Sequence, residues 1–224
     1  MAYKEMGFLP DAMVNYLVRL GWSHGDQEIF TRQELIEQFS WKNVQTSAAV
    51  FNPEKLLWVN AEYIKITPPS QVAQALVPLM EGAGLKDEVQ AVSASWLVQL
   101  VVLVKERVKT LSEMVDWVRP YFGQAVTCDE EAARKYLTPT IAPILGQLLT
   151  RFEAIPAFSK QQWEAAFKQL VEEQGVKMGQ LAQPVRVALT GRTASPGLFD
   201  VMEVLGRDRT LFRLRQGIRR ATLE

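Results

Sequence analysis

Side chains able to do catalytic chemistry are few in this chain of 224 residues. His24 is its one histidine and stands in Ser23-His24-Gly25-Asp26, where a turn is expected. A general base needs a positioned nucleophile. Neither a Gly-x-Ser-x-Gly elbow nor a second histidine accompanies His24, which therefore reads as an exposed turn residue. Cys128 is the one cysteine, which excludes an intrachain disulfide and a multi-cysteine metal site and suits a reducing cytosol. The glutamate pairs 130, 131 and 172, 173 are adjacent on helical patterns, so neither pair shares a face, and a solvated surface explains them. Walker and Rossmann glycine patterns are missing as well. Nothing here builds an enzyme active site.

Binding chemistry is better represented, near the end of the chain. In LTGRTASPGLFDVMEVLG, residues 189 to 206, an apolar segment stops at Thr190-Gly191, a short polar loop follows, and Pro196-Gly197 opens a second apolar segment that Gly206 closes. From 186 to 220 there are eight basic residues (186, 192, 207, 209, 213, 215, 219, 220) against three acidic (200, 203, 208). Basic and acidic residues number 25 each over the whole chain, so the remainder carries the opposite excess. Overall neutrality argues against a strongly basic nucleic-acid binder; the asymmetry points to one end that faces a polyanion.

The elements that must position these groups read as helices. Thr31-Arg-Gln-Glu34, Thr110-Leu-Ser-Glu113, Thr127-Cys-Asp-Glu130 and Ser159-Lys-Gln-Gln162 all fit the capping box, and each precedes apolar residues at helical spacing. Asn52-Pro53 and Leu9-Pro10 add proline at the first helical position. Gly21, Pro120, Gly175 and Gly206 end apolar periods, and hairpin signals are poor. The patterns predict helices near 10 to 20, 31 to 39, 53 to 65, 70 to 81, 87 to 108, 111 to 118, 128 to 137, 139 to 152, 160 to 174, 178 to 190, 197 to 205 and 208 to 221. The fold class is therefore all-α, in two to three consecutive helical-bundle modules with joints near Pro68-Pro69 and Tyr121 to Cys128, and with no fixed-period repeat. Six tryptophans (22, 41, 58, 96, 117, 163) could stack on bases, but 58, 96, 117 and 163 lie in apolar stripes and are expected in the core. The longest nearly unbroken apolar run, Trp96 to Val104, is far below the ~20 residues that span a bilayer, and the N-terminus has no apolar segment of signal-peptide length.

Three stretches, GFLPDAMVNYLVRLGWS (7 to 23), SAAVFNPEKLLWVNAEYIK (47 to 65) and VRVALTGRTASPGLFDVMEVLG (185 to 206), resemble in order and spacing the C-terminal half of bacterial-type glutamyl-tRNA synthetase. The resemblance covers nearly the whole chain. It implies the end of a stem-contact region at 1–67, a first helical anticodon-binding domain at 68–126 and a second at 127–224. The family's class I catalytic domain carries a His-Ile-Gly-His motif and a Lys-Met-Ser-Lys-Arg-like loop, and neither occurs here. The chain looks as if it starts just after that second loop and runs to the natural end. The resemblance thus implies a portion that selects tRNA-Glu and cannot activate glutamate by itself. ATP and Mg belong to the full enzyme, with no cofactor or metal in this chain, and the catalytic domain is an expected partner on the same polypeptide. A cytoplasmic protein with no membrane partner is expected.

Carried over by motif, the positions that receive anticodon bases are Arg186, Ser195, Pro196, Gly197, Leu198 and Phe199. The residue types agree with that role: Pro-Gly lets backbone approach a base, Ser195 donates and accepts, the helix start offers N–H groups, and Leu198 or Phe199 can cover a splayed base. Arg192 is a candidate phosphate contact. Arg207, Arg209, Arg213, Arg215, Arg219 and Arg220 lie on or beside the last helix, whose apolar stripe of Leu211, Leu214 and Ile218 leaves them largely solvated; a plain solvated face and tRNA phosphates both stand open. Arg107 is a further candidate, because a family residue that helps read the third anticodon base lies in the first anticodon domain. Two alternatives remain at this point: a helical protein-interaction module whose last helix meets an acidic partner, and a relative that also accepts tRNA-Gln.

Overall fold

The computed structural model describes residues 2–45 and 49–223; Ser47 and Ala48, which open the second quoted stretch, lie outside the described residues. Among the described residues every regular element is helical, and extended pairing is limited to one isolated bridge between Trp22 and Val44. The fold class is all-α, as the capping and stripe patterns predict. No helix is long and apolar enough to cross a membrane among the described residues. The chain divides into two compact units, Met1–Val118 and Arg119–Glu224.

The first unit contains α1 (Ala2–Glu5), α2 (Pro10–Arg19), α3 (Arg32–Gln38), α4 (Pro53–Ile66), α5 (Pro69–Gly82), α6 (Lys86–Gln90), α7 (Ala94–Val104) and α8 (Leu111–Val118), with 3-10 turns at Trp41–Asn43 and Lys105–Arg107. Thr31 and Glu34 form the reciprocal capping box that their spacing predicts. Buried amides tie segments distant in sequence. Asn60 Oδ1 accepts from Leu9 N at 2.8 Å while its Nδ2 donates to Lys109 O at 2.6 Å, and Asn15 does the same for Phe30 N and Glu28 O. Each amide satisfies backbone groups that no helix ladder reaches, which is the condition for burying such groups. The Tyr63 hydroxyl donates to Phe30 O, and burial pushes its pKa up to about 12.

The second unit contains α9 (Glu130–Tyr136), α10 (Ala142–Glu153), α11 (Lys160–Glu173), α12 (Met178–Thr190) and α13 (Leu198–Leu223), after a 3-10 turn at Arg119–Tyr121. Gly206, with φ of 75° and ψ of 170°, breaks α13 into two arms, 198–205 and 207–223, as its place at the end of an apolar period predicts. α12 packs against α13 so closely that a Cβ on Gly217 would stand 2.6 Å from the Ala188 Cβ. The core of the unit includes Trp163, whose ring stacks on Phe152 at 4.1 Å between centroids.

Several expectations are corrected. The long helix expected over 87 to 108 is two helices and a 3-10 turn, because Ser93 caps a new start by accepting from Trp96 N at 3.2 Å. The cap before α9 is Asp129, which accepts from Ala132 N at 2.7 Å, so the helix begins two residues later than Thr127-Cys128 suggests. Thr110 Oγ1 accepts from Glu113 N at 3.1 Å as the expected box requires, but the Glu113 carboxylate accepts from Lys109 N at 2.8 Å, one residue before the expected partner. Trp58 is 40% exposed under the Lys55 ammonium, while Trp22, outside the expected core set, is buried with Phe30 and Leu35.

Candidate nucleic-acid interface

The end of α12 explains why the chain reads Leu189-Thr190-Gly191. Thr190 Oγ1 donates to Arg186 O at 2.9 Å and thereby bonds the last turn of its own helix. Gly191 then takes the left-handed conformation, φ 71°, and its N–H returns to Val187 O at 2.8 Å, an αL cap. A Cβ on Gly191 would stand 2.1 Å from Thr127 O, so only glycine lets the two chain segments touch. Gly191 O in turn accepts from Asp129 N at 2.9 Å. The polar loop thus leaves the helix from a fixed point.

Arg186 fixes the other end of the loop. Its Nη1 donates to Pro196 O at 2.8 Å and to Ser195 O at 3.2 Å, and it also meets Ser195 Oγ. Three of the residues carried over from the resemblance are therefore one hydrogen-bonded group. Gly197 is exposed beside them, and its φ lies outside the left-handed region, so its value is not conformational freedom. What a side chain there would meet is Asp200 Oδ2, at 2.3 Å from the added Cβ. Asp200 pairs with Lys160 of α11 and holds that ammonium's pKa above its usual value. Gly197→Ala is accordingly expected to displace an exposed ion pair without straining the backbone. We expect a thermal-unfolding change of less than about 1 kcal/mol, since exposed pairs contribute that little.

Leu198 is buried, which corrects its reading as a base cover: its side chain belongs to the core. Phe199 is half-buried, with its ring perpendicular to that of Phe167 at 5.6 Å between centroids, so it is the apolar group of the two that keeps an accessible portion.

The arginines of the last helix are not a uniformly solvated row, and this corrects the stripe argument. Arg213 is 1% exposed. Its Nε donates to Gln124 O at 3.1 Å, its Nη1 to Pro120 O and Leu189 O at 2.7 and 2.6 Å, and its Nη2 to Phe122 O and Gly123 O at 3.2 and 3.1 Å. A guanidinium has five N–H groups. All five are engaged here, and none is left for a phosphate. Burial, reinforced by Arg209, pulls the pKa of Arg213 down to about 10, so it stays charged at neutral pH. Arg209 is likewise tied inward, to Tyr121 O at 2.9 Å and Leu205 O at 3.0 Å. Arg207 bonds the carbonyls of Glu153 and Ile155, Arg215 pairs with the Glu153 carboxylate and Arg220 with Glu130. Arg192, in the loop, and Arg219, on the outer helix face, are exposed and make no side-chain ion pair among the described residues. Arg107 belongs to the first unit, where its guanidinium lies 6.0 Å from the Trp117 ring centroid.

Sequence reasoning missed Lys160, Phe167 and the anchoring role of Arg213. The partners of Lys160 and Arg213 lie 40 and up to 93 residues away, and no local spacing signals such a pairing. Among the described residues no group of three or more His, Cys, Asp or Glu could hold a metal ion. His24 is exposed, stacked on Trp22 at 6.0 Å between centroids.

Residues 71–218 match the family described as "Anticodon binding domain", and residues 1–58 match "tRNA synthetases class I (E and Q), catalytic domain". The chain is 50% identical over 218 residues to a glutamate–tRNA ligase of Geobacter sulfurreducens, covering 97% of this chain and 46% of that protein. It is 48% identical over 219 residues to the glutamate–tRNA ligase of Syntrophobacter fumaroxidans, with 98% and 46% covered. It therefore spans about half the length of these relatives. In structure it is similar to a glutamate tRNA ligase from Elizabethkingia meningosepticum, crystallised with its amino acid, at a TM-score of 0.82 and 28% identity over 97% of this chain and 42% of the other.

Proposed function

The chain belongs to the anticodon-binding domain family, and from that premise we propose that it binds tRNA-Glu and reads its anticodon as the C-terminal part of a glutamate–tRNA ligase. The observation that carries this reading is the grip of Arg186 on Ser195 and Pro196. It gathers a cation, a hydroxyl and the start of a helix on one partly exposed surface, where unpaired bases can be met by hydrogen bonds and by the accessible part of Phe199. A base entering this loop meets the same guanidinium that orders it. In this reading Arg192 and Arg219 supply phosphate contacts, which position the RNA without reading it. ATP, Mg and glutamate belong to the chemistry of the whole ligase, and the cytoplasm is the compartment where its tRNA is found.

Arg186→Ala is the test. It is expected to weaken binding of tRNA-Glu by about 1 to 3 kcal/mol and to narrow its advantage over a tRNA altered at the anticodon. Arg219→Ala is expected to weaken both tRNAs about equally, because a phosphate contact carries no sequence information. Filter binding at one fixed salt concentration, on variants shown by thermal unfolding to be folded, measures both. Full retention of anticodon preference by folded Arg186→Ala would overturn the assignment.

Affinity is also expected to fall as salt rises, with a log-log slope of about 0.7 to 0.9 in magnitude per phosphate contact. With the loop arginine and one outer arginine outside any side-chain ion pair among the described residues, the slope should be shallow. Affinity that does not change from low to high salt would favour a protein partner over RNA.

A further inference from the structure

The loop held by Arg186 adjoins a carboxylate to which anticodon binding has so far given no role. Arg186 Nη1 donates to Pro196 O at 2.8 Å, Gly197 is the next residue, and the Asp200 carboxylate lies over Gly197. Arg186, Pro196, Gly197 and Asp200 thus follow one another along a single stretch. Glycine is what leaves room for the carboxylate: an added Cβ at 197 would collide with Asp200 Oδ2 and stand 3.3 Å from its Cγ. Gly197 O accepts from Val201 N at 2.9 Å, so the backbone beneath the carboxylate is fixed by the first turn of α13.

Asp200 is held from α11 as well. Its Oδ1 takes the ammonium of Lys160, and the two side chains are 46% and 45% exposed. Its Oδ2 accepts no hydrogen bond among the described residues. The start of a helix favours an acid in its first turn, which accounts for the charge of Asp200. It accounts neither for a glycine beneath the carboxylate nor for a lysine brought to it from 40 residues away. Charge decides which part of an RNA the free oxygen faces. Asp200 first, then Glu203 and Glu164, raise the pKa of Lys160, so three carboxylates surround one ammonium. Phosphate is repelled from that end of the stretch. A base edge is uncharged and carries N–H donors, and a carboxylate, which only accepts, is its complement. We propose that Asp200 reads the anticodon together with Arg186: its free oxygen accepts a hydrogen bond from the amino group of an anticodon cytosine, and Lys160 is the positioning residue that holds the carboxylate for it. Cytosine offers an amine where uracil offers a carbonyl, and a carbonyl set against a carboxylate is repelled. This assignment rests on the anticodon reading and adds a second reading residue and the base chemistry it selects.

Filter binding tests it, with tRNA-Glu transcripts that carry cytosine or uracil at each of the three anticodon positions in turn. The 224-residue chain is compared with Asp200→Asn and Asp200→Ala at one fixed salt concentration, each variant shown by thermal unfolding to be folded. At one position the unaltered chain is expected to prefer cytosine by about tenfold or more. An asparagine amide both accepts and donates, so it suits either base. Asp200→Asn should therefore bind the uracil transcript about threefold or more tighter than the unaltered chain does, and its preference for cytosine should fall below about threefold. Asp200→Ala should lose affinity for the cytosine transcript without that gain. Loss of an ion pair or a loosened fold acts on all transcripts alike and produces no gain confined to uracil at one position. Lys160→Met should lower the cytosine preference at that same position, and Lys160→Arg should restore it.

Equal binding of cytosine and uracil at every position by the unaltered chain would overturn the proposal. So would an unchanged preference in Asp200→Asn, or a change of affinity by one common factor for all transcripts. An unchanged preference in Lys160→Met would remove the positioning role of Lys160. Arg186→Ala separates these outcomes from failure of the anticodon reading itself. Where Arg186→Ala narrows the preference for the correct anticodon and Asp200→Asn does not, only the role of Asp200 falls; where no transcript binds the chain at all, both readings fall.

Discussion

Arg213→Ala is expected to lower the unfolding free energy by about 4 kcal/mol, among the largest effects available to one substitution in this chain. Truncation leaves five carbonyls, those of Pro120, Phe122, Gly123, Gln124 and Leu189, without the donor that gathers them. Each stranded acceptor costs about 1 to 3 kcal/mol where it stays buried, and less where water can enter the space the side chain vacates. Arg213→Lys keeps the charge but has three donors on one atom in place of a planar fork of five, so it should recover only part of the loss. Urea unfolding followed by circular dichroism measures both variants. A loss below about 1 kcal/mol for Arg213→Ala would show that solvent replaces the guanidinium freely. Because Leu189 O is one of the five acceptors and stands two residues before the αL cap, tRNA affinity should fall with stability in both variants.

Arg213 also marks the limit of what local sequence signals carry. The helices were legible because their signals are local. Thr31 with Glu34, Ser159 with Gln162, Asn52 before Pro53 and Gly206 after an apolar period each act within four residues, and the structure places caps or breaks at all of them. Arg213 was not legible. Its position on an amphipathic helix is consistent with solvent, and its burial is decided by carbonyls of 120–124 that are themselves left over from irregular backbone. The same holds for Asn60 and Asn15, whose partners are loop amides and carbonyls distant in sequence. Leu198 misled for a related reason: a residue at the start of a helix after Pro-Gly can face either way, and only the packing of the first arm of α13 settles that it faces the core. The loop's importance came from resemblance. Its hydrogen-bonded form, with one arginine holding two carbonyls nine and ten residues on, came from the fold.

Gly191→Ala should be the other severe substitution, and a second glycine of the same unit separates its two causes. Gly175 ends α11 with φ of 61°, and an added Cβ would meet nothing within 4 Å. Gly175→Ala therefore isolates the backbone term, about 1 to 2 kcal/mol for a left-handed alanine. Gly191→Ala carries the same term at φ of 71°, and adds a Cβ at 2.1 Å from Thr127 O and 3.1 Å from the Cys128 Cα. Both obstacles are backbone, which cannot swing aside as a side chain would. The segment before α9 must retreat, and with it the bond from Asp129 N to Gly191 O and the cap that Asp129 places on that helix. Overpacking of this kind adds about 1 to 3 kcal/mol, so Gly191→Ala is expected to lose about 2 to 5 kcal/mol in all. The loop that Arg186 holds begins at this residue, so its shift should also weaken tRNA-Glu binding under conditions where the variant is still folded, whereas Gly175→Ala should leave binding unchanged. Equal losses of stability in the two variants would mean that the contact with Thr127 relaxes at no cost; unchanged tRNA affinity in folded Gly191→Ala would mean that the point where the loop leaves α12 does not govern what the loop binds.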